Sequence, residues 1–419
     1  MSLRVRAFRP RSVRQGSFGC TTAILSGVLV LLLVSVGAAA ISRFSPGTTN
    51  FAASRLQAQP GSLRWDGGRW TILLLGADGK AARTSSINGL LVVSFDPHHR
   101  RLATLSVPPN LWVTIPGFGR GRMADAYTYG GPRLALLTMQ SALHMPIPYY
   151  AVVGTDTAGQ LADAVGGVSL HVPPTLAGRF AARVSHPAIP GGTQRMDGAT
   201  LTRFMLLPAV TAAGTMLRMQ RQYLGITALV TAMLQPASLP HLAGLVDSFG
   251  GTVITNFPYD QVVPLAQATH RMSGAGTHRH DLTLRNNAVA GYTAEGKPVL
   301  LPNWPRIHSI VRSAFPDADL ARGSGVQVQN ATGTPGQAAA LAGWLRQCGV
   351  RIAGESSAPA AGFTRTRVIV GKNAGAQTQY VARAVSTMLQ APLVTDSARS
   401  AHAPITVILG DDYQDVTQQ

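Results

Sequence analysis

Acidic residues are scarce in this chain of 419 residues, which has 18 in all, and only Glu295 and Glu355 are glutamates. Lysine is as rare, at Lys80, Lys297 and Lys372, so nearly all of the 36 basic residues are arginines. The resulting formal charge of +18 predicts attraction to polyanions, whether nucleic acid, anionic lipid or an acidic wall polymer. Cysteine is almost missing: Cys20 and Cys348 stand at opposite ends of the chain. That excludes a disulfide framework and a cysteine metal cluster. The sequence contains no P-loop and no dinucleotide-binding fingerprint. Ser94 and Ser106 do not sit in a nucleophile elbow, and no His/Asp partner can be placed for either.

What is present is apolar. Such residues make up 46% of the chain, and its length suits two or three domains. One run stands apart: CTTAILSGVLVLLLVSVGAAAIS, residues 20–42, carries no charge. About 20 apolar residues cross a bilayer core. Before it lie Arg4, Arg6, Arg9, Arg11 and Arg14 with no acid, a flank that stays cytoplasmic. The alternative is a cleaved signal peptide with Ala38 and Ala40 at the cut, but its apolar region would exceed the usual length of about 7–15 residues. Cys20 precedes the apolar run instead of following it, which does not suit a lipobox. Under either reading almost everything after Arg43 lies outside the cytoplasm, so nucleic acid is not expected as a partner.

The expected organisation is a cytoplasmic basic tail (1–19), a transmembrane helix (20–42), a linker rich in Ser, Gly, Pro and Gln (43–68), a large α/β domain (69–322) and a small α/β domain (323–412). Continuous apolar runs at Trp70–Gly76 and Leu90–Phe95 predict strands buried on both faces. Shorter strands are expected at Leu102–Val107, Trp112–Ile115, Tyr149–Val153 and Val168–Val172. Helices are expected at Pro132–His144, Thr157–Val165 and Thr215–Leu234, with further helical segments between Leu239 and Phe315. Strands alternating with helices indicate a sandwich around a mixed central sheet. In the small unit the order β-α-β-β-α-β predicts a ferredoxin-like or related arrangement.

Several stretches, in order, carry a resemblance: WTILLLGADG, LLVVSFDP, TLSVPPNLWVTIPGFGRGRM, AYTYGGP, IPYYAVV, LADAVGGVSLHV, IPGGTQRMDGATL and LRMQRQYL. Together they resemble the LytR-CpsA-Psr family, and VQVQNATGTPGQAAALAGWLRQCGV with ITVILGDDY resembles the C-terminal domain often joined to it. The resemblance implies an α/β sandwich with helices on both sides of the sheet. It implies an extracytoplasmic phosphotransferase of cell-wall assembly, taking a glycopolymer from a polyprenyl-pyrophosphate carrier to peptidoglycan. The carrier's tail would lie between sheet and helices, and its pyrophosphate would meet arginines and a magnesium ion at the mouth. Arginine suits phosphate because its planar fork binds two oxygens. Magnesium is commonly held by one or two carboxylates with phosphate oxygens and water.

Carried over position by position, the resemblance makes Asp78 a metal ligand and Arg218, Arg221 and Gln222 the groups on the pyrophosphate, with Arg122 and Arg83 as further substrate contacts. Elsewhere the chain departs from the family. Where the family has Arg-x-Asp-Thr, this chain has Ser86-Ile87-Asn88-Gly89, or in a second alignment Arg83-Thr84-Ser85-Ser86. Where it has Ser-Ile-Pro-Arg-Asp, the chain has Ser106-Val107-Pro108-Pro109-Asn110, a sound turn without charge. Its Arg-x-Arg falls on Leu206 and Pro208. Arg83, Arg120 or Arg203 would have to stand in. A lone carboxylate holds magnesium weakly unless the substrate supplies most of the ligands.

Two readings follow: a transferase on a depleted site, or a non-catalytic scaffold binding a lipid or an anionic wall polymer. A transcription attenuator would need a DNA reader, and residues 1–19 are too short to fold. Outside this region, His270, His278 and His280 read as a solvated basic loop, Asn330-Ala331-Thr332 as turn chemistry, and Asp411-Asp412 as an exposed acidic turn. Of Tyr127, Tyr129, Tyr149 and Tyr150, at most one is expected to meet a sugar.

Overall fold

The computed structural model describes residues 4–5, 69–78, 86–96, 101–177, 189–207, 212–233, 253–257, 277–281, 288–293, 296–315, 324–359, 362–389, 391–400 and 402–413. The expected transmembrane run at 20–42, the linker, Arg83 and His270 lie outside them. Among the described residues no helix is long and apolar enough to cross a membrane.

The strand β1 (Arg4–Val5) is only two residues long and pairs with Tyr292 and Gly291. The sequence reading puts a membrane between these segments; two residue pairs do not make an independently stable ribbon.

The large domain is built on β2 (Trp70–Ala77), β3 (Ile87–Asp96), β4 (Arg101–Ser106), β7 (Tyr149–Gly154), β10 (Val253–Thr255) and β11 (Thr277–Asp281). They form one mixed sheet in the order β10-β7-β2-β3-β4-β11. β2 runs parallel to β7 and antiparallel to β3, and β4 runs antiparallel to β3 and parallel to β11. The carboxyl ends of β2, β4 and β7 therefore share one edge of the sheet, where the amino end of β3 also lies. At the far end of the β2–β3 pair, Arg69 Nη2 meets Asp96 Oδ2 at 2.7 Å.

The period-two pattern of β2 sends Leu73, Leu75 and Ala77 to one face. There they pack with α1 (Asp125–Leu143) and α5 (Trp304–Ala314) through Leu134, Met139, Ile307 and Val311. Helix α1 begins earlier than the expected Pro132. It is broken at Gly130 and Gly131, with Gly131 at φ 66°, a conformation that needs glycine. The second face carries α2 (Thr155–Ala164), α3 (Gly198–Leu206) and α4 (Ala212–Met233). These pack with the hairpin β8 (Val168–Val172) and β9 (Gly192–Met196). Asp197 caps α3, its carboxylate accepting from Thr200 N at 2.8 Å. Another hairpin, β5 (Trp112–Ile115) with β6 (Gly119–Arg122), follows the proline corner.

One expectation for this domain is corrected and another is met in part. Of the helical segments expected in 239–315, α5 is described; the other described elements there are β10, β11, β12 (Ala288–Tyr292) and β13 (Pro298–Pro302), and most of the rest of the stretch lies outside the described residues. These strands are short and edge-bound, without the long apolar runs that marked β2 and β3. His278 and His280, read as loop, sit on β11 opposite Ala103 and Leu105.

The small domain comprises β14 (Val326–Asn330), α6 (Gln337–Gln347), β15 (Ile352–Ser357), β16 (Arg367–Gly371), α7 (Ala376–Leu389), β17 (Leu393–Asp396) and β18 (Ile405–Leu409). It is not ferredoxin-like. The order β15-β14-β18-β16-β17 makes two parallel β-α-β units of opposite direction, with β18 between them, parallel to β14 and antiparallel to β16. The difference is β17, a half-exposed strand of four residues that the sequence reading passed over. Asn330 is engaged in its turn, accepting from Thr332 N at 3.1 Å.

Candidate functional site

An apolar cleft, part of it open to solvent, lies between the second face of the sheet and helices α2, α3 and α4. Leu74 and Leu91 form its floor, and Ala158, Leu161, Met205, Met219, Ile226 and Leu229 its walls. Polar groups gather at one end. Gly76, Asn88, Gly89 and Ser106 come from the shared sheet edge and Gln222 from α4.

Two local features aim these groups. The register of β2 on β3 shifts between Gly76, opposite Gly89, and Ala77, opposite Ile87. Asn88 is thus the extra residue of a β-bulge, a device that re-aims a side chain. Beyond the bulge Asp78 N donates to Ser86 O at 2.9 Å, which keeps Asp78 beside Asn88. Asn88 Nδ2 donates to Asp78 Oδ1, and Gln222 Nε2 donates to Asn88 Oδ1 at 3.0 Å. Because a carboxylate only accepts, Asp78 fixes the amide: nitrogen toward the acid, oxygen toward Gln222. Glycine makes room for this. A Cβ on Gly89 would stand 3.0 Å from Gln222 Oε1, and one on Gly76 would stand 3.3 Å from Asn88 Oδ1.

Arg218, Arg221 and Gln222 share a face of α4 by their spacing. Arg221 is 2% exposed, and its Nη2 donates to Leu207 O at 3.0 Å. The Nε of Arg218 and of Arg221 are buried without a hydrogen-bond partner among the described residues. Burial pushes the Arg221 guanidinium down to about 10, and neighbouring Arg218 pushes the same way. Burial also lowers Arg218, against the pull of Asp78. Two desolvated cations beside each other, with Asp78 the carboxylate acting on Arg218, leave a local excess of positive charge. Such a site favours an anion with several acceptor oxygens.

The other expected contacts fare differently. The Arg122 guanidinium is already engaged by Asp125, at 2.7 Å from Nη2 to Oδ1, and that hydrogen bond raises its pKa. Arg120 is exposed on β6. Arg203 lies half-buried on α3 with its Nε lacking a partner among the described residues. Pro108 and Pro109 are buried, and their carbonyls accept from Leu111 N at 3.0 Å and Ala124 N at 2.9 Å. The proline corner pins the start of α1 with backbone where the family has charge. Of the four tyrosines, Tyr127 and Tyr149 are core residues, and Tyr129 is 51% exposed, stacked on Phe118 at 4.9 Å.

A magnesium ion built on this donor set lacks ligands. Among the described residues no three His, Cys, Asp or Glu side chains group together. The group nearest to Asp78 presents an amide N–H, which repels a cation, in the place where a second acid would offer oxygen. The residues present do not fit a protein-built divalent-cation site.

Comparison with known proteins agrees with this architecture. A protein of Streptococcus agalactiae has a crystal structure that covers 59% of this chain and 88% of its own at TM-score 0.50 and 16% identity, a likeness of fold. A protein of Oceanobacillus iheyensis, named polyisoprenyl-teichoic acid–peptidoglycan teichoic acid transferase TagU, is 25% identical over 248 residues, 58% of this chain and 75% of the relative. LcpB of Corynebacterium glutamicum, named a probable cell wall biosynthesis protein, is 30% identical over 164 residues, 39% of this chain and 37% of the relative. Residues 324–413 match the profile described as LytR cell envelope-related transcriptional attenuator. Since residues 49–298 match the profile described as the LytR_cpsA_psr family, well over half of the sequence, the chain belongs to the LytR-CpsA-Psr family.

Proposed function

We propose that this chain is a membrane-anchored, extracytoplasmic protein of cell-wall assembly that binds a polyprenyl-(pyro)phosphate-linked glycopolymer. The observation that carries the reading is an apolar cleft along α4 whose polar end, at Gln222, adjoins two arginines of the same helix. Met219, Ile226 and Leu229 line the apolar part, while Arg218 and Arg221 precede Gln222 on α4 and carry buried Nε groups unpartnered among the described residues. An isoprenoid tail suits the first and a phosphate the second. The name of the TagU relative supplies the substrate class, a polyisoprenyl-linked teichoic acid and peptidoglycan.

In a transfer reaction a sugar hydroxyl of the wall would attack the phosphorus next to the glycopolymer. The new oxygen–phosphorus bond would replace the one to the carrier, which leaves as polyprenyl phosphate, and the hydroxyl's proton would pass to that leaving phosphate or to water. Charge grows on the leaving phosphate, and preorganised cations aimed at it lower the barrier. The chain's own contribution would be the Arg218 and Arg221 guanidiniums, Gln222 orienting the bound phosphate, and a dry tail site that fixes the donor. Residues 20–42 would anchor the protein with residues 1–19 inside the cell; a reporter fused after Gln419 is expected to read outside the cytoplasm.

A lipid-linked polymer presented with peptidoglycan tests the reading. The expected result is binding of the lipid carrier and transfer that Arg218→Ala and Asp78→Ala abolish. Binding without transfer would assign the chain to the second reading, a wall-polymer scaffold, which the substituted acid at Asn88 favours. No binding of the carrier would sink both.

A further inference from the structure

Within the reading of the cleft as a lipid-phosphate site, we propose that this chain holds the diphosphate by itself, without a divalent cation. Asn88 is the residue that decides it. Three independent observations meet at this point. The bulge at Asn88 turns its side chain into the polar end of the cleft. The relay from Gln222 through Asn88 to Asp78 is complete, with every amide atom oriented by the acid at its end. The absence of a side chain at Gly89 lets Gln222 reach down to Asn88, because a Cβ there would press on Gln222 Oε1.

The relay removes the place of a metal. A divalent cation beside Asp78 would face the N–H of Asn88, and turning that amide over would break its bond to the acid and require Gln222 to turn over with it. What replaces the ion's charge is on α4. The buried Arg221 and the neighbouring Arg218 carry Nε hydrogens that find no acceptor among the described residues. A diphosphate brings the acceptor oxygens those donors lack. Asp78, tied by Asn88, is held as an amide-bonded acceptor instead of standing as an unpaired anion facing the ligand. Asn88 therefore acts as a specificity-determining residue: it selects a metal-free anion over its metal complex.

Inorganic pyrophosphate titrated into the purified full-length chain by calorimetry tests this, once in EDTA and once in excess magnesium. The expected result is binding in EDTA that magnesium does not tighten. In the same format Asn88→Asp should bind roughly tenfold more weakly in EDTA, a like-charge penalty of ordinary size, and regain that affinity with magnesium. A second measurement needs no variant. Manganese titrated into the wild-type protein with pyrophosphate, followed by electron paramagnetic resonance, should give only the spectrum of the solution complex. Wild-type binding that requires magnesium, or a protein-bound manganese signal, overturns the proposal and leaves the lipid-phosphate reading standing. Failure to bind under either condition overturns that reading and the proposal with it.

Discussion

Arg221 is the residue whose chemistry departs furthest from the ordinary in this cleft. Its folded value of about 10 lies well below that of a free guanidinium because burial disfavours the charge. The sign of the linkage follows. The folded state binds the proton less well than the unfolded one, so the charge is a burden on stability throughout neutral pH. The burden is relieved as pH rises through about 10 toward the ordinary guanidinium range. A buried charge carries a desolvation penalty on the order of several kcal/mol that an apolar side chain of similar volume does not. Arg221→Met is accordingly expected to raise the melting temperature in anion-free buffer while losing pyrophosphate binding; a lower melting temperature would make Arg221 a structural group. At higher pH, once the ionisations of pyrophosphate itself are complete, binding should fall off above about 10, where the ligand-free guanidinium gives up its proton. Arg218→Ala should weaken pyrophosphate by roughly 10- to 100-fold, the size of one charge-assisted hydrogen bond. How this residue cluster reads in sequence is uneven. Arg218, Arg221, Gln222 and Asp78 are legible only through the family resemblance, and Asn88 as the position where that resemblance expects an acid. The bond between them is not, because Gln222 and Asn88 are 134 positions apart and only the packed sheet and helix bring them together. The ion pair of Arg122 with Asp125 joins residues three positions apart, but Asp125 falls between the stretches that carry the resemblance and is not singled out by them.

Elements with a strong apolar period were legible and those without it were not. β2 and β3 are buried on both faces, so their runs are continuous. The bounds of β5, β8, β14 and β18 fall as their turns predict. By contrast β9 carries Gly192 to Met196 with only its last residue buried, and a strand that barely touches a core leaves no pattern. The same holds for β17. The cleft is also a property of elements, since it exists where α4 stands off the sheet instead of packing into it. Gly76 and Gly89 on the sheet side and Ala158 on α2 keep its walls low. Ala158→Phe should therefore fill the apolar part without reaching the arginines. The expected outcome is loss of binding to a farnesyl-phosphate probe with binding of inorganic pyrophosphate unchanged. Equal loss of both would mean that the two ends of the cleft are not separate subsites.

At the scale of the whole molecule the question is what joins the two domains. Their seam runs along α1. Leu137 belongs to the core of the small domain and Ser141 hydrogen-bonds to Cys348, while His144 is held from within the large domain by stacking on His308 of α5 at 4.1 Å. Gly349 closes the contact. Its φ is +83°, and a Cβ there would come within 2.9 Å of the Cβ of His144. Alanine at this position meets two obstacles at once, a left-handed backbone costing about 1–2 kcal/mol and a collision with the facing domain. The seam contains its own reporter. Burial pushes the Cys348 thiol up to about 12 although Ser141 pulls the other way, so the folded protein should not react with a thiol reagent near neutral pH. With Cys20→Ser removing the other cysteine, the labelling rate of Cys348 measures how often the seam opens. Gly349→Ala is expected to speed labelling roughly tenfold, the equivalent of about 1.4 kcal/mol, and to do so at temperatures below global melting. If labelling accelerated only in step with the fall in melting temperature, the two domains would be opening as one cooperative unit, and the cleft could not be uncoupled from the small domain by changes at the seam. If it accelerated alone, the small domain would be a separable body resting on α1, the same helix that covers the far face of the sheet bearing the cleft. Pyrophosphate should slow the labelling in the first case and leave it untouched in the second.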